Sequence, residues 1–180
     1  PYYNSNYLLV AQHIRFPNKD FIWLGDMNEV GLFGQKKWKG NQKMITICEG
    51  EIDAMSVSKV QGNKWPVVSV PSGAKSAKKY IKKELEYLES FEKVVLMFDN
   101  DEAGNEASIE CAQLFTPKKA LVSKLPLKDA NDMLVSGRGK DIIHHIWNAK
   151  PYTPEGIIAG ADTWDLVIQD DSKECTPYLW

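Results

Sequence analysis

The stretch VVLMFDNDEAG, residues 94–104, joins an apolar run directly to a cluster of acidic side chains. Residues 94–98 are apolar throughout, which predicts a strand that is buried on both faces. Asp99, Asp101 and Glu102 follow at once, and like charges this close repel one another by about 1 kcal/mol in water and about four times that near a protein surface. Such crowding requires a compensating interaction, which a bound cation or a helix N-terminus would supply.

The apolar run belongs to a regular alternation of short strands and helices. The predicted strands are 44–48, 66–70, 94–98 and 119–123, and the predicted helices are 52–61, 77–89 and 103–114. Continuous apolar strands that alternate with helices of this length are typical of a parallel sheet with both faces covered. The sequence therefore predicts an α/β fold with a central, mainly parallel sheet flanked by helices, in which 94–98 is the central strand.

The segments on either side of this alternation have different patterns. Residues 1–43 carry scattered aromatic residues and several glycines without a clean period, so we expect a small, basic N-terminal α+β subdomain before the sheet domain of residues 44–124. Residues 125–156 predict a C-terminal helical extension of one or two short helices, broken near Gly137 and Gly139. Residues 157–180 are interpreted as a linker towards a further domain.

The composition excludes several classes of protein. The chain has 180 residues, of which 43% are hydrophobic, and a net charge of −2, as in ordinary globular proteins, so any basic binding surface must be local. No apolar run approaches the roughly 20 residues that a membrane span needs, and the N-terminus lacks a signal-peptide pattern. Cys48, Cys111 and Cys175 form no CxxC pair, which argues against a disulfide framework and a zinc site.

Acidic residues follow two of the predicted strands at their carboxyl ends. Glu49 follows strand 44–48, with Asp53 shortly after it, and Asp99 and Asp101 follow strand 94–98. Ligands of parallel sheets bind at this edge, and Mg²⁺ prefers carboxylate oxygens together with water and substrate phosphates. The pattern indicates metal-dependent phosphoryl or nucleotidyl transfer. The alternative, that these acids cap helices or occupy first turns, stays open, especially for Asp53 and Glu102.

Two of these acidic stretches resemble a known family. EGEIDA (49–54) and MFDNDEAG (97–104) resemble the two signature elements of the Toprim domain, which DnaG-type primases, type IA and type II topoisomerases and some nucleases share. RFPNKDF (15–21), LPLKDANDML (125–134) and IWNAKPYTPEG (146–156) follow in matching order and spacing. Over about residues 10–160 the chain is similar to the RNA-polymerase half of the bifunctional primase-helicases of short-tailed T-odd phages.

The resemblance implies a set of site residues. The residues that it implies for metal binding are Glu49, Asp53, Asp99, Asp101 and Asp129, of which Glu49, Asp99 and Asp101 would be catalytic. The residues that it implies for nucleotide or DNA binding are His13, Arg15, Lys19 and Gly73. His13 departs from the pattern, because a lysine is common at its position in the phage enzymes.

The resemblance implies a DNA primase catalytic fragment that makes short RNA primers on single-stranded DNA. It implies Mg²⁺ as the cofactor, with Mn²⁺ able to substitute, and ribonucleoside triphosphates as substrates. The implied partners in the intact protein are a zinc-binding module and a helicase domain, and the implied location is the cytoplasm of an infected bacterial host, without a membrane. Two alternatives remain open: a nuclease-type Toprim phosphodiesterase, and a non-catalytic DNA-holding domain of a replicative helicase.

Overall fold

The computed structural model describes residues 1–18, 20–154 and 163, which form two separate sheets. The N-terminal sheet has three antiparallel strands in the order β1 (Tyr2–Tyr3), β2 (Leu9–Arg15) and β3 (Phe21–Gly25). In the β2–β3 hairpin, His13 is opposite Trp23 and Arg15 is opposite Phe21, so these four side chains share one face. A single turn of 3₁₀ helix, Gln35–Lys37, provides the helical part of this region.

The second sheet has five strands in the order β5-β4-β6-β7-β8. Their bounds are β4 (Met44–Cys48), β5 (Val67–Ser69), β6 (Lys93–Met97), β7 (Ala120–Val122) and β8 (Lys150–Pro151). The first four strands are parallel, and β8 pairs antiparallel with β7 on its outer side. The prediction of a mainly parallel sheet is confirmed, and β6 is its central strand.

Helices cover both faces of this sheet. Their bounds are α1 (Glu51–Val60), α2 (Ala74–Lys83), α3 (Leu85–Glu89), α4 (Glu102–Ala112), α5 (Ala130–Val135) and α6 (Gly139–Trp147). Alternate residues of β6 point to opposite faces: Val94 and Leu96 pack into one apolar cluster with side chains of α2 and α4, and Val95 and Met97 pack into another with side chains of α1, α5 and α6. This double burial explains why the strands are apolar at every position.

The predicted helix 77–89 is interrupted at Glu84, which separates α2 from α3. The Glu84 side chain is nearly buried, and its Oε2 accepts a hydrogen bond of 2.6 Å from Nε2 of Gln35. A contact with the N-terminal region thus overrides the local helical pattern. In the C-terminal extension, α5 ends and α6 begins on either side of Gly137, which has a φ of 78°.

Two predictions lie outside the described residues. Lys19 is one of them, and the linker of residues 157–180 is the other, apart from Thr163. Within the described part of the chain, no helix has the length and apolar character that a membrane crossing requires.

Candidate metal and nucleotide site

Glu49 connects three loops at the carboxyl edge of the parallel sheet. Glu49 itself follows β4. Its Oε1 accepts a hydrogen bond of 3.1 Å from the backbone N–H of Ala74, at the start of α2. Its Oε2 accepts a hydrogen bond of 3.4 Å from the backbone N–H of Asp99, after β6. These three loops follow adjacent strands of the sheet. Because each carboxylate oxygen has two lone pairs, Glu49 keeps capacity for a further donor or a cation.

Gly73 lies directly beside Glu49. Its φ of 72° is in the range that favours glycine, and a Cβ at this position would lie 3.4 Å from Oε1 of Glu49. The structure therefore places Gly73, which the resemblance assigned to the nucleotide cleft, next to the first acid of the predicted site.

The carboxyl of Asp99 interacts electrostatically with several charged groups of the site. Burial raises the pKa of its carboxyl to about 6, and the negative charges of Glu49, Asp129 and Asp101 add to the rise, while Lys128 opposes it. Nζ of Lys128 lies 3.7 Å from Oδ2 of Asp99. The acids that follow β4 and β6 thus act on one another, as the sequence predicted from the convergence of strand ends.

Asp101 begins the helix that follows β6. It is the N-cap of α4, and its Oδ1 accepts a hydrogen bond of 2.9 Å from the backbone N–H of Gly104. Glu102 is the first residue of the helix, in agreement with its interpretation as a helix-terminal acid. Oδ2 of Asp101 makes no hydrogen bond with the described residues, so this oxygen remains available to a ligand.

Asp53 and Asp129 form the second part of the acidic group. Oδ1 of Asp53, on α1, accepts a hydrogen bond of 3.0 Å from the backbone N–H of Asn131, and Asp129 caps α5 through a bond of 2.7 Å from the backbone N–H of Asp132. Burial raises the pKa of Asp53 to about 7, and the charges of Asp129 and Asp99 contribute to the rise. Of the capping and first-turn roles that the sequence left open, Asp101 caps α4 and Asp53 lies in the first turn of α1. Asp129 also has a capping role, at the start of α5.

His13 connects the N-terminal sheet to α1. Its Nδ1 lies 2.6 Å from Oε1 of Glu51, which also accepts a hydrogen bond of 2.7 Å from the hydroxyl of Tyr2. The imidazole ring stacks on Trp23 at a centroid distance of 4.2 Å, with an interplanar angle of 9°. Burial alone would raise the pKa of Glu51, but the hydrogen bonds from Tyr2 and His13 outweigh it, and the pKa is lowered.

Arg15 lies on the same face of the N-terminal sheet as His13, towards the exposed end of the hairpin. Its guanidinium carbon is 5.4 Å from the ring centroid of Phe21. Within the described residues no acidic group lies within salt-bridge distance of Arg15. The structure thus leaves its charge accessible, and it does not describe Lys19, the other basic residue implied for this surface.

Comparisons with known proteins match this arrangement. A family model described as Toprim-like matches residues 46–134, which run from β4 to α5. The DNA helicase/primase of Enterobacteria phage T3 is 39% identical over 173 residues, which are 96% of this chain and 30% of that protein. The chain therefore spans less than a third of the length of this relative.

Solved structures agree with the family match. The crystal structure of the primase fragment of the bacteriophage T7 primase-helicase is 40% identical, with a TM-score of 0.76 over 81% of this chain and 61% of that one. A structure of the T7 lagging-strand DNA polymerase with primase domains of two gp4 subunits, bound to an RNA/DNA hybrid and dTTP, is 41% identical, with a TM-score of 0.79 over 84% of this chain and 76% of that one. The chain belongs to the Toprim-like primases of phage primase-helicases.

Toprim primases generally use divalent metal ions, and the donor set of this chain suits such an ion. Among residues 1–18, 20–154 and 163, no three His, Cys, Asp or Glu side chains converge closely enough to form a metal centre by themselves. Glu49, Asp99 and Asp101 offer carboxylate oxygens alone, which suit a hard cation held by one or two carboxylates together with water and phosphate oxygens. The donor set of this site thus fits a hard cation whose coordination is completed by water or phosphate oxygens.

Two residues at this site were not identified from the sequence. Lys128 precedes Asp129 in KDAND, but its contact partner Asp99 is in another loop, and the sequence carries no signal for that pairing. Glu51 was recognised only as one acid of EGEIDA. Its role in joining α1 to the N-terminal sheet depends on Tyr2 and His13, which are 49 and 38 residues away.

Proposed function

We propose that this chain is the catalytic primase region of a phage primase-helicase and synthesises short RNA primers on single-stranded DNA from ribonucleoside triphosphates. The observation that carries the proposal is the hydrogen bond of 3.4 Å between the Glu49 carboxylate and the Asp99 backbone N–H. It joins the first acids of the two Toprim motifs at one edge of the sheet. Membership of the primase family supports the same reaction.

In this proposal Glu49, Asp99 and Asp101 are the catalytic acids and the ligands of Mg²⁺, for which Mn²⁺ can substitute. When bound, the cation would stabilise negative charge on the triphosphate during nucleotidyl transfer. Asp53 and Asp129 supply additional negative charge next to Asp99, which strengthens the attraction for a cation. Gly73 leaves room beside Glu49 at the N-terminus of α2.

The N-terminal sheet would bind the template. Arg15, with no acidic partner in the described part of the chain, and Lys19 would contact phosphates of single-stranded DNA, because accessible cations of this kind gain affinity by releasing counterions. His13, in contrast, directs Nδ1 at Glu51. We therefore assign His13 to the junction between the sheet and α1, with only its other ring nitrogen available to a nucleotide or DNA.

The intact protein would divide into an N-terminal basic subdomain (1–43), the Toprim domain (44–124), a helical extension (125–156) and a linker (157–180). The linker would lead to a helicase domain, as the primase-helicase names of the relatives suggest. The zinc-binding module that the family resemblance implies would complete template recognition. The proposed site of action is the cytoplasm of an infected bacterium.

A priming assay tests this function. The protein is incubated with single-stranded DNA, radiolabelled ribonucleotides and Mg²⁺, alone and with the flanking modules restored, and Asp99→Asn and Asp101→Asn variants are compared with the parent. Asp141→Asn is the matched control, because Asp141 pairs with Arg138 on the exposed surface of α6. We expect oligoribonucleotides from the parent and the control and a loss of at least tenfold in both site variants.

Two results would count against the proposal. If no oligoribonucleotide forms even with the flanking modules, the chain is not a functional primase region and the non-catalytic, DNA-holding alternative is favoured. If the template is degraded in a metal-dependent way, the nuclease-type alternative replaces priming.

A further inference from the structure

Lys128 is the basic side chain that the structure places against the acidic group. Its Nζ lies 3.7 Å from Oδ2 of Asp99, and it is the only lysine, arginine or histidine of the described residues within 4 Å of the carboxylates of Glu49, Asp53, Asp99, Asp101 and Asp129. Within the described part of the chain, these acids therefore have a single ammonium in direct contact, and it contacts Asp99.

The backbone around Lys128 is held in place by Asn100, the residue after Asp99. The N–H of Asn100 donates a hydrogen bond of 2.6 Å to the carbonyl of Lys128, and its side-chain amide donates one of 3.0 Å to the carbonyl of Leu125. The two loops are thus tied together by their main chains. The presence of Lys128 next to Asp99 follows from this link and does not depend on the ion pair.

The side chain of Lys128, in contrast, is mostly exposed to solvent. It is 60% exposed, whereas that of Asp99 is 18% exposed. An ammonium on a flexible four-carbon chain makes a point-charge contact without fixed geometry, and ion pairs with one exposed partner are weak. The lysine can therefore leave Asp99 at little cost when a stronger cation arrives.

We propose that Lys128 is a built-in counter-charge of Asp99 that a divalent cation must displace, so that this lysine sets the metal affinity of the site. The inference rests on the proposed function, in which Asp99 is a metal ligand. An ammonium and a divalent ion compete for the same carboxylate oxygen, and removing the ammonium strengthens metal binding. A lysine that merely stabilised the fold would have no such effect.

The test measures Mn²⁺ binding to the full chain, without nucleotide, from the electron paramagnetic resonance signal of the free ion. The variants are Lys128→Gln, Lys128→Arg, Asp99→Asn and Lys124→Gln. Lys124 is the matched control, because it is exposed, precedes the same loop and has no acidic partner within 4 Å in the described part of the chain. We expect Lys128→Gln to bind Mn²⁺ about three- to fivefold more tightly, as the loss of a weak ion pair predicts.

The other variants show whether a change in Mn²⁺ affinity comes from the charge of Lys128. Lys128→Arg keeps the charge and should bind Mn²⁺ like the parent, as should Lys124→Gln, whereas Asp99→Asn should lose most of the binding. The counter-charge inference is overturned, and the proposed function stands, if Asp99→Asn weakens Mn²⁺ binding but Lys128→Gln leaves it unchanged or weaker. The same conclusion follows if Lys128→Arg binds Mn²⁺ like Lys128→Gln. If Asp99→Asn binds Mn²⁺ like the parent, Asp99 is not a ligand and the proposed metal site fails together with the inference.

Discussion

The carboxylate of Glu49 accepts a hydrogen bond from the backbone N–H of Asp99, with 3.4 Å between Oε2 and the amide nitrogen. Glu49 directly follows Cys48 and Asp99 lies two residues after Met97, and Cys48 and Met97 are register partners in the parallel strands β4 and β6. Strand pairing therefore sets the separation of the two acids before either side chain contributes. This relationship places negative charge next to Asp99.

Asp101 has two roles that substitutions can separate. Asp101→Asn should retain the stability of the parent, because asparagine is as good an N-cap as aspartate and keeps the oxygen that accepts the Gly104 N–H. Asp101→Ala should lower the free energy of unfolding by about 1 kcal/mol. Both should reduce priming equally. Urea unfolding and the priming assay check this, and an Asp101→Asn variant that primes like the parent would remove Asp101 from the metal ligands.

Gly104 permits the close approach of α4 to the loop that carries Asp99. A Cβ at this position would lie 2.2 Å from the carbonyl oxygen of Asp99, so Gly104→Ala must displace that loop. We expect a loss of about 1–3 kcal/mol in the free energy of unfolding and a fall in metal affinity. Ala103→Ser, which adds one atom at an exposed position of the same helix, is the control and should change neither quantity. Unchanged metal binding in Gly104→Ala would show that metal affinity does not depend on the position of the loop that carries Asp99.

The stability of the metal-free protein should fall as the pH rises from about 4 to about 7. The carboxyl groups of Asp53 and Asp99 have an ordinary pKa of 3.8, raised to about 7 and about 6 in the folded protein. In this range the folded chain therefore binds protons that the unfolded chain has released, so protonation stabilises the fold at low pH and this contribution is lost as the pH passes the folded pKa values. The lowered pKa values of Glu51 and Glu89 act in the opposite direction, because their contribution to stability is lost only as the pH falls below their ordinary value of 4.5.

Urea unfolding between pH 5 and pH 7.5 in a chelating buffer measures this effect. Asp53→Asn should flatten the dependence, because it removes the group with the larger rise in pKa, and Asp141→Asn should leave it unchanged. A parent protein that becomes more stable over the same range would contradict the proposed environment of these acids.

Tyr2 should stabilise the junction between the N-terminal sheet and α1. Its buried hydroxyl donates to Oε1 of Glu51, so Tyr2→Phe should lower the free energy of unfolding by about 1–3 kcal/mol, as for a hydrogen bond to a charged group. The pKa of Glu51 should rise at the same time, which an NMR titration of its carboxyl carbon detects. Tyr7→Phe, at an exposed position, is the control. An unchanged Glu51 pKa in Tyr2→Phe would exclude this hydrogen bond in solution.

The parallel sheet could be predicted from the sequence because its strands are buried on both faces. Residues such as Val94 and Val95 pack on opposite sides, so the whole run must be apolar. The two-residue strands β1 and β8 carry no such pattern, and Pro151 in β8 lacks an N–H, which restricts it to an edge. The interruption at Glu84 depends on Gln35, a contact between residues 49 positions apart that no local pattern reveals.

The part of the candidate site that could be predicted is the position of its acids at the ends of the strands. Glu49 and Asp99 both follow parallel strands, so their position at the same edge of the sheet could be predicted from the alternation of strands and helices alone. The hydrogen bonds of Glu49 to the N–H groups of Ala74 and Asp99 could not, because they depend on the order of the strands in the sheet. Lys128 was missed for a similar reason, since its loop meets Asp99 only in the folded chain.

The location of a bound Mn²⁺ ion tests the central claim most directly. Trace Mn²⁺ is added to ¹⁵N-labelled protein, and the paramagnetic broadening of backbone amide signals is recorded for the parent, Asp99→Asn and Asp141→Asn. We predict that the amides of Gly50, Ala74 and Asp99 broaden first in the parent and in Asp141→Asn, and that Asp99→Asn abolishes this broadening. Broadening that spares these amides, or that persists unchanged in Asp99→Asn, would contradict a metal site built on Glu49 and Asp99.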